Sequence, residues 1–445
     1  MGSAREAAML TLAACERQGA WSDGYLKRIL REQELDKRDA ALATRICYGV
    51  LQNKLLLDWH LARFCKSKLT SLDIKVLCNL RAAAYQILFL DKIPPSAAVN
   101  EAVELTKKHC RNPRAAGMVN GILRAMLREG EHPEPDEHDK VKYLSLKYSH
   151  PVWLVEEFLA ILGPEGTEEL LAAGNGEPPT TIQHNPLKCS AEDLQHGLER
   201  DGAGTTPYPW LPGCRLLADG GNIEALRAFQ DGWFYVQDTA ARLAVTAAGV
   251  TPGSRVLDCC AAPGGKSFAA AIEMRNRGEI ISCDIHPHKI KLIEAGRDRL
   301  GLSVIVPRLQ SAAEFREDWA DAFDTVIADV PCSGLGIIRK KPDIRYKDPE
   351  ALKGLPKVQR GILDNCSRYV RPGGVLLYST CTLLRRENED VVNAFLADNP
   401  QFELELFELP HFGVHPGMIT FWPHIHDTDG FFVAKLRRKG AVPVD

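Results

Sequence analysis

Residues 254–270, SRVLDCCAAPGGKSFAA, decide the fold of the C-terminal half of this chain. Val256 and Leu257 belong to a short apolar run, which is typical of a strand buried in a parallel sheet. The PGG turn interrupts regular structure, and residues 266–274 then have the pattern of a helix. Such a glycine-rich turn offers backbone N–H groups to a ligand, although an ordinary turn without a ligand has the same pattern.

Length and composition are those of a soluble globular protein with two or three domains. The chain has 445 residues, of which 45% are hydrophobic and 25% are charged. No apolar run reaches the roughly 20 residues that span a bilayer. The start, MGSAREAAML, has too short an apolar region for a secretory signal and lacks the Ser or Thr of a myristoylation site. We therefore expect a monomeric cytoplasmic protein with no membrane partner.

The 13 cysteines indicate a reducing compartment, because they are odd in number and scattered through apolar segments. No paired CxxC motifs occur, so a zinc site has little support. The histidine pairs His286 with His288 and His424 with His426 are interpreted as loop or surface residues. No metal is expected.

Charge is unevenly distributed along the chain. Residues 1–128 carry 21 Lys and Arg against 12 Asp and Glu, whereas the remainder is acidic. A basic front on an acidic body suggests a polyanionic partner for the front, although a merely basic helical domain has the same composition.

The front of the chain is predicted to be entirely helical. Apolar residues recur every three or four positions over 4–18, 22–34, 37–53, 55–64, 71–90, 95–109 and 113–128. Ser71 and Ser96 are predicted N-caps. The predicted bundle core includes Val76, Leu80, Ala84, Ile87 and Leu88. A phosphate-binding face is predicted from Arg81, Lys107, Lys108, Arg111, Arg114, Arg124 and Arg128.

A smaller mixed module is predicted to follow an acidic linker at 129–139. Its predicted elements are helices at 148–163, 164–173 and 191–201 and strands at 180–185 and 233–236. Trp233, Phe234 and Tyr235 suit stacking on bases, but burial between domains fits them better. The predicted domains are 1–130, 140–235 and 236–440.

From residue 251 onward strands and helices alternate, which predicts a parallel, doubly wound sheet. Strands are predicted at 255–258, 280–284, 303–306, 325–329, 375–379 and 431–436, with helices at 266–274, 287–300, 357–370 and 385–399. Ligands of such sheets bind beyond the carboxyl ends of the strands.

Acidic and cysteine side chains fall at those strand ends: Asp258, Asp284, Asp329 with Cys332, and Cys381. An acid one strand–helix–strand unit after the turn, as Asp284 is, suits ribose hydroxyls. The GxGxxG fingerprint is absent and Lys266 is the only cation near the turn, which favours a nucleoside over NAD. A lone cysteine is usually a small buried hydrophobe, but two at neighbouring strand ends suggest nucleophilic chemistry.

Two family resemblances add to this interpretation. The stretches RDAALATRICYGVLQNKLLLDWHL, LRAAAYQILFLDKIPPSAAVNEAVELTKK and AAGMVNGILRAML resemble the NusB-like RNA-binding domain. The pieces FYVQDTAA, DCCAAPGGKS, CDIH, FDTVIADVPCSGLGIIRKKPDIRY, QRGILDNC, RPGGVLLYSTCTLLRRENEDVV and DGFFVAKLRR resemble the RNA 5-methylcytosine methyltransferases of the RsmB/Sun (Fmu) type. Together they imply a Rossmann-like α/β methyltransferase domain, preceded by an all-α NusB-like domain and a small α+β module.

The second resemblance implies a cofactor and a substrate. S-adenosylmethionine would be held by Cys260, Ala261, Ala262, Pro263, Gly264, Gly265, Lys266, Asp284, Gln310 and Asp329. Gln310 stands where the family usually has an Asp near the adenine. The substrate would be an unstacked cytosine of 16S small-subunit ribosomal RNA.

The resemblance also implies catalytic roles. Cys381 would add to carbon 6 of the cytosine, which activates carbon 5 toward the methyl group. Asp329 would hydrogen-bond ring nitrogen 3, and Cys332 would assist release after the carbon 5 proton leaves. Flanking cations, Arg339, Lys340, Lys341 and Arg345, are predicted to hold RNA phosphates.

Three alternatives remain open from the sequence. A DNA cytosine-5 methyltransferase would use the Pro-Cys cysteine as nucleophile and would need neither STC nor the helical front. A non-enzymatic RNA-binding or antitermination factor would carry a degenerate catalytic half. An amino-methylating enzyme would have Asn/Asp-Pro-Pro-Tyr in place of DVPC.

Overall fold

The structure is a computed structural model that describes residues 3–18, 22–130, 133–218 and 220–440. By its internal contacts the chain divides into two units. The first takes the chain up to Gly176 together with Ile338–Asp348, and the second takes Glu177–Ile337 and continues from Pro349. Part of the predicted 129–139 linker lies outside the described residues, and the predicted domain boundaries stay a prediction.

The first unit is built from helices. They are α1 Ala4–Gln18, α2 Ser22–Glu32, α3 Lys37–Ala62, α4 Ile74–Phe89, α5 Pro95–His109, α6 Arg114–Glu129, α7 Lys140–Lys147 and α8 Val152–Ala173. Leu80 and Ala84 are fully buried and Val76 nearly so, whereas Ile87 and Leu88 only border this core. The predicted helical front is therefore present, with the predicted core stripe at its centre.

Several helix boundaries differ from the prediction. The predicted helices 37–53 and 55–64 form one helix, α3, with a non-helical residue at Asn53, whose Nδ2 donates to the Gly49 carbonyl at 2.9 Å. The predicted N-cap Ser71 is wrong: Asp73 caps α4 by accepting from the Lys75 N–H at 2.8 Å. Ser96 is also wrong, because Pro94 occupies the cap position of α5.

A short segment from late in the chain completes the first unit. It contains a 3₁₀ helix, Pro342–Tyr346, and the Arg345 side chain in it is fully buried. Its guanidinium donates to the carbonyl oxygens of Gln52, Tyr148, Ser149 and Gly174 and to Oδ1 of Asn175. Burial lowers the pKa of Arg345 to about 10, although the neighbouring Tyr346 acts in the opposite direction. The expectation that Arg345 binds RNA phosphates is therefore wrong.

The second unit begins with a four-stranded antiparallel sheet in the order β2-β3-β1-β4. Its elements are β1 Thr180–His184, α9 Ala191–Arg200, β2 Gly204–Pro207, β3 Cys214–Ala218, α10 Arg227–Gln230 and β4 Phe234–Val236. Strands β2 and β3 were not predicted. Phe234 and Tyr235 are buried, so base stacking is wrong for these two.

The large sheet follows, in the order β10-β14-β9-β8-β5-β6-β7 with β13 beside β14. Its strands are β5 Arg255–Asp258, β6 Glu279–Asp284, β7 Ile305–Leu309, β8 Phe323–Asp329, β9 Val370–Thr380, β10 Phe402–Leu404, β13 Met418–Phe421 and β14 Phe431–Arg438, and a separate pair is formed by β11 Phe407–Leu409 and β12 Gly413–His415. The helices are α11 Thr239–Ala248, α12 Gly265–Glu273, α13 Pro287–Leu300, α14 Pro349–Leu352, α15 Leu355–Ser367, α16 Glu389–Asp398 and α17 Pro423–His426.

The sheet is parallel from β7 to β9, but β14 runs antiparallel to β9. The prediction of a wholly parallel sheet is therefore wrong at its last strand. A parallel neighbour needs a crossover, usually helical, whereas β14 is reached from the antiparallel strand β13 through the short helix α17.

Hydrophobic cores lie on both faces of this sheet. Val256 and Leu377 belong to one core cluster, and their neighbours Leu257 and Leu376 belong to another. Successive strand residues point to opposite faces, so both faces are covered and polar groups meet at the strand ends.

Candidate active site

The carboxyl ends of four neighbouring strands bring the predicted site residues to one edge. In the parallel registers Asp258 lies beside Ser282 and Ile327, and Asp329 lies beside Ser379. Cys381 follows β9 directly. The sequence places these groups far apart along the chain, and the sheet brings them together.

Two thiols meet at this edge. Sγ of Cys332 lies 3.4 Å from Sγ of Cys381. A hydrogen bond from Cys332, together with the positive charge of Lys266, lowers the pKa of Cys381, although burial and Asp329 act in the opposite direction. The pKa of Cys332 is raised because it donates that bond and is buried. With its pKa lowered while that of Cys332 is raised, Cys381 is the better thiolate of the pair.

An ion pair between a buried lysine and a half-buried aspartate lies beside the thiols. Lys266 Nζ contacts Asp329 Oδ2 at 2.7 Å, and Ser379 donates to Asp329 Oδ1 at the same distance. The Lys266 ammonium also lies 4.9 Å from the centre of the Phe431 ring. Because both oxygens already accept a hydrogen bond, the Asp329 carboxylate is held in one orientation.

The turn after β5 contains two glycines whose backbone lies close to other side chains. Gly264 has φ +116°, a conformation that side chains rarely adopt, and its N–H donates to the Ala261 carbonyl at 2.7 Å. A Cβ on Gly265 would lie 3.1 Å from Nε2 of Gln237. The chain between them and β5 runs through Cys260, Ala261, Ala262 and Pro263, where the Ala262–Pro263 peptide is cis.

Asp258 lies beneath this turn and is fully buried. Ser267 donates to its Oδ2 at 2.7 Å, and Oδ1 has no hydrogen-bond partner among the described residues. Burial raises the pKa of Asp258 to about 7, despite the opposing Ser267 bond. The turn therefore packs against a buried carboxyl group, and Oδ1 of that group accepts no hydrogen bond from the described residues.

Asp284 and Gln310 lie next to each other at the ends of β6 and β7, where the Gln310 N–H donates to the Asp284 carbonyl at 3.2 Å. Asp284 Oδ1 accepts from the His286 N–H at 3.0 Å, which orients this carboxylate. Gln310 Nε2 donates to the carbonyls of Ser311 and Glu314, and this leaves its Oε1 as the group for a ligand.

Sequence reasoning missed two residues that hold the cysteine loops. Glu387 is fully buried, and its Oε2 accepts from the Ser333 N–H and from Gln359 Nε2, each at 2.8 Å. Asn388 accepts from the Thr380 hydroxyl at 2.6 Å and donates to the Thr382 carbonyl at 3.0 Å. The ENE run within RRENEDVV was the available signal, since polar residues there interrupt an apolar pattern.

The predicted phosphate-binding residues of the first unit differ in their exposure and in their ion pairs. Arg81 is buried and pairs with Asp58 and Glu16, so its prediction is wrong. Lys107 pairs with Glu104, and Lys108 pairs with Glu6. The remaining four, Arg111, Arg114, Arg124 and Arg128, are exposed.

Three family models match successive parts of the chain. They are the NusB family at 2–128, the ferredoxin-like domain of RsmF/B-like methyltransferases at 150–224, and 16S rRNA methyltransferase RsmB/F at 245–437. The probable ribosomal RNA small subunit methyltransferase B of Bacillus subtilis is 36% identical, over 98% of this chain and 99% of that relative. The chain belongs to the RsmB/F family. Another similar protein, the ribosomal RNA small subunit methyltransferase B of Klebsiella pneumoniae, is 32% identical over 92% of each chain.

Solved structures share the fold of this chain. The crystal structure of PH0851 has a TM-score of 0.81 at 27% identity and covers 97% of this chain and 98% of that one. A methyltransferase homolog from Pyrococcus horikoshii has a TM-score of 0.58 at 26% identity and covers 67% of this chain and 99% of that one. The predicted fold class, with NusB-like, small α+β and Rossmann-like parts, is confirmed.

Two kinds of feature are absent from the described part of the chain. No described helix combines the length and apolarity needed to cross a bilayer. The described residues also hold no cluster of three or more His, Cys, Asp or Glu side chains suited to a metal ion. His424 and His426 are half-buried in α17 and not surface residues as expected.

Proposed function

We propose that this ribosomal RNA methyltransferase of the RsmB/F family transfers the methyl group of S-adenosylmethionine to carbon 5 of a cytosine in 16S rRNA. The reaction proceeds through a covalent bond between Cys381 and the base. The observation that carries the proposal is the pair of thiols 3.4 Å apart beside the Lys266–Asp329 ion pair. Cytoplasm, where 16S rRNA is assembled into ribosomes, is the proposed location.

The residues at the turn fit S-adenosylmethionine. Gly264 and Gly265 let the methionine part approach the backbone at the start of α12, and Asp284 suits the ribose hydroxyls. Ile285 is 57% exposed next to Asp284, a surface that an adenine ring would cover. Oε1 of Gln310 suits the adenine amino group. When bound, this cofactor supplies an electrophilic methyl group on a sulfonium.

The protein's own residues then activate the base. The Cys381 thiolate forms a bond to carbon 6, ring nitrogen 3 takes up a proton from solvent water, and carbon 5 gains enamine character. Nitrogen 3 returns this proton to solvent when Cys381 finally leaves as a thiolate. The Asp329 carboxylate accepts the N3–H of this adduct and stabilises it. After methylation, carbon 5 must lose its proton before the bond between Cys381 and carbon 6 breaks. Cys332, beside Cys381, holds its own proton because its pKa is raised, and it is placed to relay the carbon 5 proton to solvent.

The test compares cysteine variants on protein-free 16S rRNA. Cys381→Ala should abolish methyl transfer, by more than a thousand-fold, while S-adenosylmethionine still binds in calorimetry. Cys332→Ala should retain RNA as a covalent adduct on denaturing gels. Cys366→Ala, which removes a buried thiol of the same unit, is the matched control. Full activity of the Cys381 variant, or methylation of duplex DNA in place of RNA, would refute the proposal.

A further inference from the structure

A groove of about 720 Å³ opens on the first unit. It lies between the end of α1, the start of α4, the end of α5 and the start of α6. Its apolar lining consists of Leu72, Val76, Cys110, Ala115 and Met118. Its basic lining consists of Arg17, Lys75, Arg111 and Arg114, three of which are exposed.

The charge of the groove is strongly positive. Asp73 is its one acidic residue, and it already caps α4 and lies 3.9 Å from Arg17. Lys75, Arg111 and Arg114 have no ion-pair partner among the described residues, in contrast to Lys107 and Lys108 on the neighbouring helix. Four cations face one carboxylate, and three of the cations are available to an anionic ligand.

We propose that this groove binds a single strand of the ribosomal RNA substrate, with phosphates at the basic rim and bases on the apolar lining. The proposal rests on the proposed function and adds a second RNA contact to it. Phosphates pair with Lys and Arg, and unstacked bases pack on apolar surfaces and on guanidinium planes. A groove that was basic but not apolar would suit phosphates alone.

The test is charge reversal with a matched control in the same helical region. Arg111→Glu with Arg114→Glu changes the groove, and Arg38→Glu with Arg45→Glu changes two exposed arginines of α3 that neither line it nor belong to the predicted phosphate-binding face. Filter binding of protein-free 16S rRNA should weaken at least ten-fold in the groove variant and under three-fold in the control. The slope of log affinity against log salt should also fall by about 1.4, or roughly 0.7 for each lost contact. Equal losses in both pairs would overturn the proposal.

The substitution Asp73→Ser should strengthen RNA binding, in contrast to the charge reversals. Serine keeps the N-cap of α4 but removes the one negative charge of the groove. RNA should then bind about two- to three-fold more tightly at unchanged melting temperature, and unchanged or weaker binding would contradict the groove. Displacement of the RNA by polyglutamate at equal concentration would instead identify an acidic protein ligand and overturn the proposal.

Methyl transfer separates failure of the groove from failure of the function. In the Arg111/Arg114 variant we expect a raised KM for RNA with kcat within two-fold of the unmodified protein. If the unmodified protein methylates the transcript and the groove variant keeps its RNA affinity, only the groove proposal fails. If the unmodified protein methylates no RNA, the proposed function fails.

An independent observation concerns Glu387 and Asn388. Cys332 lies between Pro331 and Ser333, and Gln359 Nε2 donates to the Pro331 carbonyl at 3.1 Å while also donating to Glu387. Ser333 and Thr382 hydroxyls lie 2.6 Å apart, which joins the two cysteine loops directly. We infer that Glu387 and Asn388 are positioning residues that hold Cys332 and Cys381 at their working separation.

The test is Glu387→Gln, which keeps the size of the side chain but removes its charge, with Glu389→Gln as the neighbouring control. We expect kcat to fall at least ten-fold with both KM values within two-fold. The negative charge of Glu387 helps to raise the pKa of Cys332. Alkylation of Cys332 should therefore occur at lower pH in the variant. Restoring the amide–carboxylate pair with Glu387→Gln and Gln359→Glu should recover part of kcat. An unchanged kcat and alkylation profile would refute the inference.

Discussion

Cys332 and Cys381 have identical side chains, but the pKa of Cys332 is raised and the pKa of Cys381 is lowered. The pKa of Cys381 is lowered by a hydrogen bond from Cys332 and by the positive charge of Lys266, whereas the pKa of Cys332 is raised by the same hydrogen bond and by burial. A thiol in isolation has a pKa of about 8.5, and hydrogen bonds to the thiolate lower it. The roles of the two residues are therefore set by their neighbours.

Removing the donor should change the reactivity of the acceptor. In Cys332→Ala, without RNA, we expect the pKa of Cys381 to rise, so that iodoacetamide labels it several-fold more slowly at pH 7. Peptide mass spectrometry of labelled protein across a pH series measures this. Cys366→Ala should leave the profile in place, and an unchanged profile in Cys332→Ala would contradict the hydrogen-bond assignment.

Asp258 should make stability depend on pH. Its pKa is about 7 in the folded chain, against about 3.9 in an unfolded one. Between those values the folded state holds a proton that the unfolded state has lost, so this contribution to stability falls as pH rises from about 4 to about 7. Asp258→Asn should remove this pH-dependent loss of stability, so that the variant gains about 4 kcal/mol relative to the unmodified protein between pH 4 and pH 8. Urea unfolding at both pH values checks this, and an equal effect at each would contradict it.

At the scale of elements, α8 shows how one residue divides a helix. The helix is interrupted at Gly163, which has φ +69° and ψ −178°, directly before Pro164. Proline lacks an N–H and its ring clashes with the preceding turn, so the chain must leave helical geometry there. Two predicted helices, 148–163 and 164–173, therefore appear as one element with a break.

Replacing glycine with alanine should destabilise the protein at this break and stabilise it at a glycine within a regular helix. A Cβ on Gly163 meets no atom within 4 Å, so Gly163→Ala should cost only backbone strain, about 1–3 kcal/mol. Gly121 in α6 also has open space, and its backbone is helical. Gly121→Ala should therefore stabilise the protein by about 1 kcal/mol. Denaturant unfolding of both variants measures the difference, and effects of the same sign would contradict this account.

At the scale of the whole molecule, the chain returns to its first unit at residues 338–348, after residues 177–337 have contributed to the second. The returning segment Ile338–Asp348 supplies the Arg345 guanidinium to the backbone carbonyls of Gln52, Ser149 and Gly174. The hydroxyl of Tyr346 donates to the Leu51 carbonyl at 2.8 Å. A buried carbonyl left without a donor costs about 1–3 kcal/mol, so the first unit depends on sequence far from its own.

A fragment of residues 1–176 should therefore be less stable than the same unit in the full chain. Adding a peptide of residues 338–348 in trans should raise its melting temperature in a concentration-dependent way. The same peptide with Arg345→Ala is the control and should have little effect. Equal stabilisation by both peptides, or by neither, would contradict the role of Arg345.

Local patterns in the sequence were sufficient to predict many of the helices and the location of the candidate site. Helical periodicity predicted the ends of α1, α5 and α13 to the residue, because amphipathic spacing is a property of neighbouring residues. The strand–turn–helix at 254–270 and the polar strand ends likewise predicted the candidate site. The thiol pair was predicted as two separate motifs, 49 residues apart, at adjacent strand ends.

Tertiary structure alone decided what depends on distant partners. It set the antiparallel direction of β14, the transfer of residues 338–348 into the first unit, and the burial of Arg81 and Arg345. It also brought Glu387 and Asn388 against both cysteine loops. The sequence around a charged residue is the same whether its side chain is exposed to solvent or bonded to a buried carbonyl. Only the folded chain determines which of these it meets, because desolvation depends on residues that are remote in sequence.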